Sequence, residues 1–393
     1  MLGTIIRNIK GDRIIWGILG ILSIISLMAV YSSVRALAHR FRDGDTEYFL
    51  MKHGFILVLG LVITFVVHRI DHQYFSKVAK FMMLFSIPLL IWTLLFGSEI
   101  NEAKRWITIP VVNLTFQSSD FAKMALIMYT SRTLAVKQGV IKSFRDGFMP
   151  VMVPIVIICG LIMFENMSTA LILFMTNLII MFLGRVSMKY IGSTVLLGVF
   201  ALGMVVGISY LIPGSRFETW KNRVTDFANS NPDEPGYQVM HANIAIAKGG
   251  FARFAPGKST QSNFLPEAYS DFIYATIIEE YGLLGGAFIV FLYLVLLYRI
   301  INIVKESSRV FGALMALGLG ISIIIQAFIN MSVAVGLLPV TGLTLPFLSM
   351  GGTSIWFNAF AMGIVLSVSR NLEERQESAP ATYSNQPQIE LNV

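Results

Sequence analysis

The chain has 393 residues, 55% of them hydrophobic and 13% charged, against about 45–50% and about 25% in an ordinary soluble domain. Such a composition excludes a soluble globular protein, and the number of charge-poor runs long enough to cross a bilayer excludes a single-span anchor. The formal charge of +7 does not signal nucleic acid, because the 30 Lys and Arg fall in short clusters between apolar runs, which is the pattern of membrane topology.

Arg7, Lys10 and Arg13 precede an apolar run from Ile14 to Val34 that is too long for a signal-peptide core and lacks a small-residue cleavage site, so it is expected to be a first span. Further runs at 53–71, 81–98, 121–137, 149–165, 168–184, 190–212, 271–303, 309–335 and 353–370 predict an all-α polytopic membrane protein of about ten transmembrane helices. The organisation expected is one transmembrane domain over 1–375, with a large extracytoplasmic loop at 213–270 between spans seven and eight. A polar, aperiodic tail at 376–393 is expected to be disordered. An even number of spans puts both termini on one side, and the Lys and Arg excess there makes that side cytoplasmic. Cys159 is the only cysteine, so no intrachain disulfide or cysteine-rich metal site can form. Five dispersed histidines argue against a histidine-built zinc centre.

Unusual polar clusters fall at the outer ends of these spans. Lys104 and Arg105, in KRWI, offer a point charge and a planar fork suited to phosphate oxygens, or serve only as interfacial anchors with Trp106. Asp120 and Lys123, in FQSSDFAK, lie three residues apart on one helical face, where they pair or reach a ligand. Phe164–Thr169, FENMST, reads as a tight turn with a Ser168-Thr169 helix start. In the long loop, Arg216, Trp220, Lys221 and Arg223 recur at helical spacing, and glycines, bases and hydroxyls from Gly236 to Ser259, Lys258 among them, form a weak pyrophosphate-binding signal.

Asp271, in FLPEAYSDF, stands where that loop meets the eighth span, and an ionised group there is costly unless something uses it. With Ser270 it would cap and complement the helix N-terminus; as a general base it would work at the membrane surface, with Glu267 the nearest carboxylate. Glu279, about 12 Å deeper, and Glu280 are expected to make buried structural hydrogen bonds. From Asn330 to Ser354, glycines and prolines break an apolar stretch, which fits a re-entrant loop closing over the site.

Taken in order, AKRWI, FQSSDFAK, GYQ, LPEAYSDFIYA with EEYGLLG, and GLLPVTGLTLPFLSMGGTS resemble the SEDS family of FtsW, RodA and SpoVE over nearly all the spans. Within it the likeness is greatest to the division members. The resemblance implies peptidoglycan glycosyltransferase activity on lipid II, in septal cell-wall synthesis at the bacterial inner membrane. The alternatives are a RodA-like elongation polymerase or a lipid II flippase. It puts the family's essential aspartate on Asp271 and its cationic positions on Lys104, Arg105 and Lys123, with Arg216 and Lys258 as further pyrophosphate contacts and Asp120 where a glutamate is common. The implied partners are a class B penicillin-binding protein and other divisome membrane proteins. No cofactor is required by this reading, although Asp271 and Glu267 with pyrophosphate could hold a magnesium or manganese ion. The chain departs from the family at Phe164–Thr169, where the pattern Q-P-D-x-G-T is absent, at His241 in place of Ser, and at Met350 in place of an aromatic.

Overall fold

The computed structural model describes residues 10–42, 44–100, 103–109, 114–211, 221–225, 227 and 236–378. A bilayer offers no partner to backbone N–H and C=O groups, so each crossing segment must satisfy its own by coiling. The helices are α1 (Arg13–Ser33), α2 (Arg35–Arg42), α3 (Thr46–His68), α4 (His72–Phe96), α5 (Ser118–Val136), α6 (Met149–Glu165), α7 (Met167–Leu183), α8 (Met188–Leu211), α9 (Tyr237–Gly249), α10 (Ile273–Glu306), α11 (Val310–Ala334) and α12 (Ser354–Ser378). Among the described residues seven segments are long and apolar enough to cross a membrane: α1, α3, α4, α6 with the turn before it, α10, α11 and most of α12. The chain is therefore a mostly helical, multi-pass membrane protein. α7 and the first half of α8 are shorter apolar helices. α5 is less apolar because its polar residues face protein: Ser118, Ser119, Asp120, Thr130, Ser131 and Thr133 are all buried.

Apolar runs placed the second and third spans several residues late. α3 and α4 begin in polar turns capped by Asp45, which accepts from Tyr48 N at 3.0 Å, and Asp71, which accepts from Gln73 N at 2.9 Å. The all-α expectation also needs correcting. Ser98–Ile100 (β1), Ala103–Ile109 (β2) and Leu114–Gln117 (β3) form a small antiparallel sheet in the order β1-β2-β3, with Trp106 opposite Gln117 and Ile107 opposite Phe116. Its β-branched run, Ile107-Thr108-Ile109 with Thr115 beyond, suits a pleated ribbon better than a helix. Where a disordered tail was expected at 376–393, α12 continues to Ser378, and the rest lies outside the described residues.

Both ends of the described chain meet on one face of the bundle. Lys10 Nζ lies 3.3 Å from Glu374 Oε1, and Gly11 N donates to Glu373 Oε2 at 2.7 Å. Asp12 caps α1 through Ile14 N and Ile15 N and accepts from Arg299 Nε at 2.6 Å, tying α1 to the far end of α10.

α10, at 34 residues, is longer than a bilayer requires, and it is broken within its length. Gly282 has φ 70° and ψ −176°, a kink inside the helix, which only glycine adopts readily. Residues 250–255 fill the break: Leu283 N donates to Gly250 O at 2.9 Å, Leu284 N to Phe251 O at 3.1 Å, and Ala255 N to Glu280 O at 2.9 Å. Backbone groups freed by the kink are thus satisfied by the 250–255 loop. The first part of α10, Ile273 to Glu280, is buried inside protein, while Leu283, Leu284, Phe288 and Phe291 beyond the kink are exposed, as lipid-facing residues are. α9 packs so closely here that a Cβ on Gly249 would stand 2.0 Å from Ile278 O. Gly249→Ala is expected to destabilise by about 1–3 kcal/mol through overpacking, read as a fall in apparent melting temperature in detergent.

Candidate active site at the start of α10

Residues 264–272 turn the chain into α10 at the end of the bundle opposite the termini. Glu267 has φ 56°, and its carbonyl accepts from Ser270 N and Asp271 N, both at 3.0 Å, and from Phe272 N at 3.4 Å. This one carbonyl gathers the chain so that the helix begins at Ile273 without a side-chain cap. Ser270 therefore does not cap it, contrary to the structural alternative drawn from the sequence. Its hydroxyl instead donates to Asp271 Oδ1 at 2.7 Å, which orients the carboxylate.

The broken stretch after α11 closes over this turn. Ser349 Oγ donates to Ser270 O at 2.5 Å, Met350 N to Tyr269 O at 2.9 Å, and Asn330 Nδ2 to both Asp271 O at 2.8 Å and Leu343 O at 2.6 Å. Gly342, at φ 68°, presents bare main chain: a Cβ there would be 3.7 Å from Asp271 Oδ2 and 3.8 Å from Arg223 Nη1. Arg223 Nη1 also donates to Val340 O at 3.3 Å. A carboxylate and a guanidinium thus flank the same bare glycine.

A second polar group reaches this loop from α5. Asp120 and Lys123 are both largely buried and pair at 3.3 Å, as their spacing suggested. Lys123 Nζ also donates to Gln326 Oε1 at 3.2 Å, and Gln326 Nε2 to Thr344 O at 2.9 Å. Two buried charges in a membrane bundle are tolerated when paired and hydrogen-bonded.

The family model described as cell cycle protein, for FtsW, RodA and SpoVE, matches residues 12–374. The chain belongs to this SEDS family. A relative from Trichlorobacter lovleyi named "Probable peptidoglycan glycosyltransferase FtsW" is 35% identical over 354 residues, covering 88% of this chain and 90% of that one. One of the same name from Geobacter sp. (strain M18) is 32% identical over 376 residues, covering 93% and 99%. Among solved structures, a chain from work on the structural coordination of polymerization and crosslinking by a peptidoglycan synthase complex aligns with TM-score 0.72 at 22% identity, covering 92% of this chain and 98% of that one. The rod shape determining protein RodA of Thermus thermophilus aligns with TM-score 0.67 at 22% identity, covering 92% and 97%. Both share the fold.

In this SEDS chain Glu279 and Glu280 hold the segment 259–261 that leads toward the Asp271 turn. Glu279 accepts from Ser259 Oγ at 2.5 Å, Thr260 N at 3.0 Å, Thr260 Oγ1 at 2.9 Å and Gln261 N at 3.2 Å. Glu280 accepts from Ser259 N at 3.1 Å and from the Ser32 hydroxyl. Gln261 in turn meets His241 Nδ1 at 2.8 Å, and that ring stacks on Phe264. The carboxylates therefore splice α10 to the segment leading into the Asp271 turn. Glu279→Gln turns one acceptor into a donor facing donors and is expected to cost about 1–3 kcal/mol for each group left unsatisfied. Faster hydrogen exchange confined to 256–263 would register it.

Of the residues singled out by sequence, Asp271 and Glu267 share one turn, and the Asp120–Lys123 pair is linked to the loop above it through Gln326. Lys258 sits exposed in the spliced loop, whose bonds run to Glu279 and Glu280 rather than to Asp271. Lys104 and Arg105 have their backbone in β2, but their side chains lie outside the described residues, as does all of Arg216. At FENMST the cap of α7 is Asn166, accepting from Thr169 N at 3.2 Å, in place of the Ser168-Thr169 start expected; Glu165 is buried against Ser118 Oγ at 3.4 Å. Sequence reasoning missed Gln326, and it named Arg223 without placing it beside Gly342 and Asp271. A carboxamide deep in an apolar run was the available signal for Gln326.

Proposed function

We propose that this chain is a peptidoglycan glycosyltransferase that polymerises lipid II into glycan strands during septal wall synthesis. The observation that carries the proposal is Asp271, a carboxylate fixed by main-chain bonds at one end of a lipid-embedded bundle and faced by the bare Gly342 backbone. Relatives named as peptidoglycan glycosyltransferases, alike over most of the chain, support the reading.

In the reaction the 4-hydroxyl of an incoming GlcNAc gives its proton to Asp271 as its oxygen attacks the anomeric carbon of MurNAc on the growing strand. The bond from that carbon to the pyrophosphate oxygen breaks, and undecaprenyl pyrophosphate leaves with the electron pair. Lys123 favours the charge that develops on it, and Lys104, Arg105, Arg216 and Lys258 are the further cations assigned to the pyrophosphate. Asp120 holds Lys123 in place. A divalent ion, magnesium or manganese, would find Asp271 and Glu267 beside the substrate phosphates; among the described residues no third Asp, Glu, His or Cys joins them.

The finer reading comprises ten spans, both termini in the cytoplasm, the 213–270 loop outside, and residence at the division septum with a class B penicillin-binding protein and other divisome membrane proteins. The meeting of both described chain ends on one face supports an even number of spans. The experiment is to give purified protein, with and without its transpeptidase partner, labelled lipid II and to follow polymer on a gel. Polymer formation supports the proposal; movement of lipid II across vesicles without polymer favours the transport alternative.

A further inference from the structure

One face of α11 carries two buried carboxamides, Gln326 and Asn330, four residues and about 6 Å apart along the axis. Unpaired amides in an apolar helix would be costly, so their partners are informative. Gln326 meets Lys123 through its oxygen and the Thr344 carbonyl through its nitrogen. That orientation is forced, because an ammonium only donates and a carbonyl only accepts. Asn330 gives both of its bonds from one nitrogen, to Leu343 O and to the main-chain oxygen of Asp271. Consecutive carbonyls of the covering loop are therefore each held by one amide, while the same two amides take hold of Lys123 and of residue 271.

We propose that Gln326 and Asn330 are a positioning pair, setting the Lys123 ammonium and the Asp271 carboxylate at a fixed separation by tying each to one of two consecutive carbonyls of the covering loop. The proposal rests on reading Asp271 as the base. A tether is needed because Lys123 has somewhere else to go. Asp120, Lys123, Ser322 and Asn358 line one small cavity, and Asp120 Oδ2 and Ser322 Oγ are buried with no protein partner among the described residues. An ammonium released by Gln326 would turn toward Asp120 Oδ2 and away from the loop. Only a carboxamide fits: glutamate would repel the Thr344 carbonyl, and methionine would leave both Lys123 and that carbonyl one bond short.

Neither amide is placed on substrate, so their loss should act on turnover and not on binding. The test measures initial polymerisation rates over a range of labelled lipid II concentrations for wild type, Gln326→Glu, Gln326→Met and Asn330→Asp, with melting temperatures for each. Asp271→Asn serves as reference. Each of the three amide variants is expected to lower kcat per folded molecule at least about 10-fold, as small misplacements of reacting groups do, with KM within about 3-fold of wild type and with melting lowered by the unsatisfied groups but still above the assay temperature. Wild-type kcat in both Gln326 variants, a rise in KM at unchanged kcat, or loss of activity only alongside loss of folded protein would each overturn the proposal. Should Asp271→Asn retain wild-type rates, the assignment of the base fails separately, whatever the amide variants do.

Discussion

Asp271→Asn is expected to lower the polymerisation rate by about 10²–10⁴-fold, the range that a positioned general base contributes. The substitution is nearly isosteric and leaves the turn intact, because the bonds that build it run through the main chain: Asp271 N to Glu267 O and Asp271 O to Asn330. Ser270 Oγ can donate to an amide oxygen as it does to Asp271 Oδ1. What disappears is the ability to take a proton, so folding and KM should hold while kcat collapses. Asp271→Glu keeps the charge but carries it one methylene farther, toward Gly342, where an added Cβ would stand 3.7 Å from Oδ2. Its rate should fall between the two.

Lys123→Met is expected to destabilise the protein by about 3–5 kcal/mol, because removing one partner of a buried pair strands the other's charge. Asp120 is the stranded group, with its side chain only 9% exposed. Adding Asp120→Asn removes that charge and should restore most of the melting temperature. Polymerisation should not return with it, since the cation facing the covering loop is still missing. A double variant that regained both folding and activity would reduce the pair to a structural tie. Asp120→Asn alone should be milder in stability, as Gln326 still accepts from Lys123.

The spans could be read because lipid demands long apolar runs, but their starts could not, since Asp45 and Asp71 begin helices inside polar sequence. The sheet escaped notice because strands of three to seven residues in a basic, aromatic segment carry little periodic signal. The break in α10 could not be read: Gly282 has no local mark of a kink, and only the loop at 250–255, far away in sequence, makes the kink satisfiable. Asp271, Asp120 and Lys123 were legible as charges in expensive places. The roles of Gln326 and Asn330 were not, because they act on main-chain carbonyls, and a carbonyl is the same at every residue.

The measurement that bears most directly on the account places a cysteine at position 271 and labels it in intact cells or oriented vesicles with a membrane-impermeant maleimide. The native Cys159, buried within α6, serves as the internal negative control. The account predicts labelling from the extracytoplasmic side alone, suppressed by added lipid II. Labelling only after the membrane is opened, or labelling that lipid II leaves untouched, would contradict it.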